Sequence, residues 1–253
     1  MIRCLASLGV RVLLVLTLAA CGGGSDAAPP TENLTGFWQL YLTPTGSTTE
    51  QGPSAIYLSQ TDAMISAAGA TGSMSGASFT LTVDSGGIVA QFNGTATPTS
   101  AAGTVTLTSL ITVTATFRLE RFTPVGTFDV SGTIDGVAVD LTGAGYGSLD
   151  YVDEALTQLG EVEIGAADVD AQLEIAFSPT GLVVGALGVP DDITAVVLYR
   201  TGSTVTESTC AGSVTITQYD GSGIAGSFTL TLDAGGTITG TFEVSFDLES
   251  YDP

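Results

Sequence analysis

The chain has 253 residues, with 26 Asp or Glu against five Lys or Arg, no His, and a formal net charge of −21. All five cations are arginines, which excludes Schiff-base chemistry, Ser-Lys dyads, Ser-His-Asp and Cys-His sites and His-ligated metals. So acidic a surface repels nucleic acid and anionic lipid headgroups, and makes both poor partners.

At the N-terminus, Arg3 and Arg11 precede an apolar run over 12–20, interrupted only by Thr17. The run is far shorter than the roughly 20 apolar residues of a spanning helix and has the proportions of a secretory signal core. No later segment contains so long an unbroken apolar run. The run ends in Leu18-Ala19-Ala20-Cys21, which resembles the bacterial lipobox. The resemblance implies that 1–20 is a signal peptide and that Cys21 becomes the lipid-bearing first residue of the mature chain. It also implies a cell-envelope location, with Gly22 in place of an inner-membrane retention Asp favouring the outer membrane. Residues 21–33, Gly/Ser-rich and then Pro-Pro, read as a flexible tether. Twelve residues from Gly22 to Asn33 reach at most about 40 Å.

Removing the first twenty of 253 residues leaves 233, enough for one large or two ordinary domains. Residues 34–122 carry only Glu50, Asp62, Asp84 and Glu120 as acids, whereas 123–253 carry twenty acids against Arg200 alone. The asymmetry predicts two domains, at 34–122 and 124–253, with a boundary near Thr123-Pro124.

Gly36-Phe37-Trp38 opens the first domain. It resembles the Gly-X-Trp motif on the first strand of lipocalin-like barrels. The resemblance implies a Trp plugging the barrel base, an arginine from the last strand packed over it, here Arg118, and a site for a small apolar ligand. About ninety residues is short for a barrel with a ligand-sized cavity, and a small closed barrel is filled by its own side chains.

Period-two alternation runs through both domains. Ile111, Val113, Ala115, Phe117 and Leu119 alternate with Thr112, Thr114, Thr116, Arg118 and Glu120, and Phe242, Val244, Phe246 and Leu248 alternate with polar residues. Each pattern places one face in a core and one in water, as antiparallel sheets require. The expected fold is all-β: a small antiparallel barrel followed by an acidic sandwich or barrel. The segment Ser78-Phe79-Thr80-Leu81-Thr82-Val83-Asp84-Ser85-Gly86-Gly87 recurs at 227–236 with eight of ten positions identical. Each copy reads as a hairpin, through domain duplication or convergence on one hairpin sequence. The single helix candidate is 151–159, with Val152, Leu156 and Leu159 at helical spacing.

Cys4 leaves with the signal peptide and Cys21 is acylated, so Cys210 has no partner within the chain and reads as a buried core residue. No phosphate-binding loop opens a helix. Calcium is the one cofactor with matching residues, and Asp168, Asp170 and Glu174 are its foremost candidates, beside the Asp150/Asp153/Glu154 and Asp191-Asp192 clusters. The remaining catalytic equipment is a carboxylate pair, as in glycoside hydrolysis, but no spacing selects one. The sequence therefore predicts a non-enzymatic, membrane-anchored structural or partner-binding lipoprotein. A binder of a small apolar ligand around Trp38 and a carboxylate-based glycan hydrolase follow as alternatives.

Overall fold

The computed structural model describes residues 28–85, 88–109, 111–151, 159–168, 170–201 and 204–251. It contains two closed antiparallel eight-stranded barrels and, among the described residues, no helix. Cys21 and most of the helix candidate, 152–158, lie outside the described residues. Tyr151 and Leu159, the ends of that candidate, are paired strand residues.

The first barrel is an up-and-down meander. Its strands are β1 (Gly36–Pro44), β2 (Gln51–Thr61), β3 (Met64–Ala67), β4 (Ala70–Ser75), β5 (Ser78–Ser85), β6 (Ile88–Ala96), β7 (Ser100–Thr108) and β8 (Thr112–Phe122). Each pairs with the next, and β8 closes the ring on β1 with Trp38 opposite Arg121 and Tyr41 opposite Arg118. The alternation drives closure: Leu40, Leu58, Ile65, Met74, Phe79, Leu81, Phe92, Val105, Phe117 and Leu119 point inward into one cluster. Burying such side chains contributes about 1.5–3 kcal/mol each. The outward residues of β8, by contrast, are mainly Thr112, Thr114, Thr116 and Glu120.

After a short link, the second barrel is built from β9 (Gly126–Ile134), β10 (Val137–Tyr151), β11 (Leu159–Ala167), β12 (Ala171–Phe177), β13 (Gly185–Val189), β14 (Ala195–Thr201), β15 (Thr204–Asp220), β16 (Gly223–Leu232) and β17 (Thr237–Tyr251). Its ring runs β9–β10–β11–β12–β14–β15–β16–β17 and back to β9, while β13 pairs with the C-terminal half of β15. The C-terminal end of β17 also runs parallel to β10. Three long strands, β10, β15 and β17, pass from one sheet to the other and bend the ring. Glycine permits two of these bends: Gly143 has φ +137° and Gly212 φ +147°, a region that side-chain-bearing residues rarely adopt. A Cβ on Gly212 would also lie 2.1 Å from the Thr229 carbonyl oxygen. The core is a single cluster of thirty buried residues, from Phe128 to Val244. In both barrels apolar residues point inward and Thr, Ser and Asp outward, the reverse of a membrane-spanning barrel.

The recurrent hairpin forms β5–β6 in the first barrel and β16–β17 in the second. These are the fifth and sixth strands of one ring and the last two of the other, so the copies do not stand at equivalent places along the chain.

Candidate functional site

Three places gather chemistry. The first is the end of the first barrel where β1 begins. Trp38 is fully buried, its indole N–H donates to the Leu34 carbonyl oxygen at 2.8 Å, and the Arg121 guanidinium lies 4.7 Å above the ring centroid. Arg121 also donates to the Asn33 carbonyl oxygen. Segment 28–34 crosses this end and seals it. Gly76 accepts from Thr31 N–H and donates to the Ala28 carbonyl oxygen, Gln60 holds Leu34 N–H and the Glu32 carbonyl, and Leu34 is fully buried. Half of the expected tether is therefore docked on the barrel. The arginine over Trp38 is Arg121 rather than the expected Arg118, and strand parity is the reason. Phe117 and Leu119 point inward, so Arg118 points outward, whereas Arg121 shares the inward face at the barrel mouth. Arg118 lies 3.7 Å from the centroid of Tyr41 and pairs with Glu50 and Glu120.

The second place lies where the two barrels meet. Phe37 packs edge-on against Tyr57, Phe122 and Tyr146, the last of which is 1% exposed. Ala55 and Leu248 complete this apolar contact. Tyr146 lies across Gly165, its register partner on β11, where a Cβ would come within 2.9 Å of its ring and hydroxyl. Its hydroxyl donates to Glu174 Oε1 at 2.8 Å, and the buried Gln172 amide donates to Glu174, to the Tyr146 oxygen and to the Ala55 carbonyl of the other barrel. Behind this network, Asp150, Glu161 and Glu163 each offer a carboxylate oxygen, all within 4.8 Å of one another. Glu163 is half-buried. Burial, then the charges of Glu174, Asp150 and Glu161, push its pKa well above the ordinary carboxylate value. Such a trio either receives a hard cation or shares protons, and Ser148 steadies it by donating to Asp150 at 3.0 Å.

The third place is a concave outer face of the second barrel, about 490 Å³ in volume. It spans β10, β9, β17, β16 and β15. The strand register lays out one row of Asp140, Ser131, Thr239, Thr229 and Ser213 and a second of Thr142, Asp129, Thr241, Ser227 and Thr215. Eight hydroxyls and two carboxylates thus line one groove, with no cation among them.

No protein-family model matches the chain, and no curated protein matches it.

The three foremost calcium candidates are dispersed. The Asp168 carboxylate accepts from the N–H groups of Asp170 and Ala171 and organises its own turn, while Glu174 is engaged by Tyr146 and Gln172. Among the described acids singled out in the sequence, only Asp150 joins the carboxylate trio, while Asp153 and Glu154 lie outside the described residues. Asp192 accepts from Gly188 N–H in a local turn. Cys210 is buried, its thiol is 3.3 Å from the Ala195 carbonyl oxygen, and burial pushes its pKa up to about 11, which suppresses the reactive thiolate. Sequence reading missed Arg121, Glu163 and the hydroxyl groove. Parity along β8 and the Glu161-Val162-Glu163-Ile164 alternation carry the first two; the groove depends on the register of five strands.

Proposed function

We propose that this chain is a non-enzymatic, lipid-anchored binding protein of the bacterial cell envelope. It is held at the outer membrane through Cys21 and engages a protein or small-molecule partner through the groove of the second barrel. The groove carries the reading: it is a concave surface where hydroxyl and carboxylate side chains from five strands converge. The first barrel supports a structural part, because Trp38 is sealed under Arg121 and Leu34 and the inward side chains form a continuous cluster. That packing argues against an apolar ligand around Trp38, and the Trp38–Arg121 stack supports the lipocalin-like resemblance at the level of barrel construction.

One observation favours glycan hydrolysis as a second reading. Asp129 and Asp140 both line the groove at diagonal positions of adjacent strands. Diagonal neighbours stand about 7–8 Å apart, their Cβ atoms somewhat closer, which leaves the carboxyls within reach of the roughly 6.5–9.5 Å of inverting glycosidases. The test is capture from solubilised membranes with lipidated protein, comparing the native chain with the double variant Ser227→Arg, Thr239→Arg. A partner held by the native chain and lost by the variant supports the groove. Identical captures contradict it, and glycan cleavage abolished by Asp129→Asn would replace binding with hydrolysis.

A further inference from the structure

We propose that the Trp38 end of the first barrel is the foot of the molecule, facing the lipid surface, with the β7–β8 turn at the opposite end pointing away. The inference rests on the Cys21 reading and adds an orientation to it. A lipid on Cys21 would leave the molecule free to tumble if the chain stayed loose up to Gly36. It does not. From Ala28 onward the backbone is fixed to the barrel, with Gly76 N–H donating to Ala28 at 3.1 Å, Thr31 N–H donating to Gly76 at 3.0 Å, and Gln60 and Arg121 holding Glu32 and Asn33. Only the six residues 22–27 separate Cys21 from Ala28. Seven peptide steps span at most about 25 Å.

Gly76 lies in the β4–β5 turn, so the anchor emerges at the end that also holds the β2–β3 and β6–β7 turns. The backbone ties these turns together: Met74 donates to Ala63, Ala96 to Ala77, and Arg121 to Thr99. The charged groups of this rim, Glu32 and Asp62 against Arg121, sum to a single negative charge, and Met64 is 61% exposed there. A rim of so small a net charge with an apolar tip is compatible with a lipid headgroup layer. At the opposite end, Thr45 N–H donates to the Thr114 carbonyl, and Ile111 is 69% exposed at the β7–β8 turn. The two ends are separated by the height of the barrel, about 30 Å for the 11 residues of β8 at roughly 3.3 Å per residue on tilted strands.

The mature, lipidated protein tests this in phosphatidylcholine vesicles carrying a fluorescent acceptor lipid. Cys210 is buried, so Met64→Cys and Ile111→Cys can each be labelled selectively with a donor dye. Energy transfer to the acceptor lipid is expected to be at least about twofold higher from position 64, given that separation. Equal transfer, or higher transfer from position 111, overturns the orientation even when the mass of the protein shows acylation. A mature chain without acyl mass overturns the anchor reading and this inference with it. Unfolding curves of both labelled variants matching the native protein keep the comparison valid, since both positions are exposed turn residues.

Discussion

Arg121 holds its guanidinium 4.7 Å above the ring of Trp38, and the same arginine reaches the Asn33 carbonyl of the segment that crosses the barrel mouth. One side chain thus joins the core plug, the last strand of the barrel and the docked N-terminal segment.

Arg121→Ala should therefore destabilise the first barrel by about 1–2 kcal/mol, through loss of a partly desolvated cation–π contact and of packed methylene stem. Arg118→Ala, which breaks a half-exposed pair with Glu50, should cost about 0–1 kcal/mol. Denaturant unfolding followed by Trp38 fluorescence distinguishes them. A larger effect at Arg118 would mean that the stack over Trp38 contributes little.

Glu163 makes stability depend on pH. Its folded-state pKa lies well above its ordinary value through partial burial and then the charges of Glu174, Asp150 and Glu161. The folded protein thus binds a proton that the unfolded chain has released once the pH exceeds the ordinary carboxylate range. The contribution is fully present below that range and is lost as pH rises towards the folded-state pKa, a tenfold difference in proton affinity between the two states corresponding to about 1.4 kcal/mol. The melting temperature of the native protein should fall from pH 5 to pH 8, and Glu163→Gln, which keeps the neutral shape, should flatten that slope. An unchanged slope in the variant would exclude Glu163 as its source.

Calcium supplies an independent check on the same three carboxylates. If Asp150, Glu161 and Glu163 receive a cation, millimolar calcium should raise the melting temperature at pH 8 and Glu161→Gln should abolish the rise, because a ligand held only by the folded state stabilises it. If they share protons instead, chelator and calcium should give the same melting temperature.

Gly165 should tolerate no side chain. A Cβ there comes within 2.9 Å of the Leu173 carbonyl oxygen and of the Tyr146 ring, so Gly165→Ala must push Tyr146 off the contact with Phe37. The expected cost is about 1–3 kcal/mol, typical of overpacking. Faster limited proteolysis of the link at 123–125 should accompany it. Unaltered proteolysis would show that Tyr146 does not hold the barrels together.

Much of this architecture was legible in the alternation of single strands. Phe117 and Leu119 against Thr116 and Glu120 announce a half-buried strand, and strands of this kind with Gly-rich turns lead to closed antiparallel sheets. The same alternation contains the answer about the Trp38 stack: a residue flanked by inward Phe117 and Leu119 cannot reach the interior, but one two places beyond Leu119 can. What local pattern cannot supply is pairing across distance. Asp150 and Glu163 belong to different strands, Gln172 and Ala55 to different barrels, and the two hydroxyl rows appear only once five strands are in register. Each of those relationships is a property of closure, set by the whole ring rather than by any window of sequence.

In the proposed function, Cys21 is the sole device that positions the protein. Fractionation of cells expressing the native chain and Cys21→Ser tests this most directly. The native protein should sediment with membranes, and the variant, folded because residue 21 lies before the docked segment that begins at Ala28, should be recovered in the soluble fraction. Continued sedimentation of folded Cys21→Ser with membranes would contradict that role.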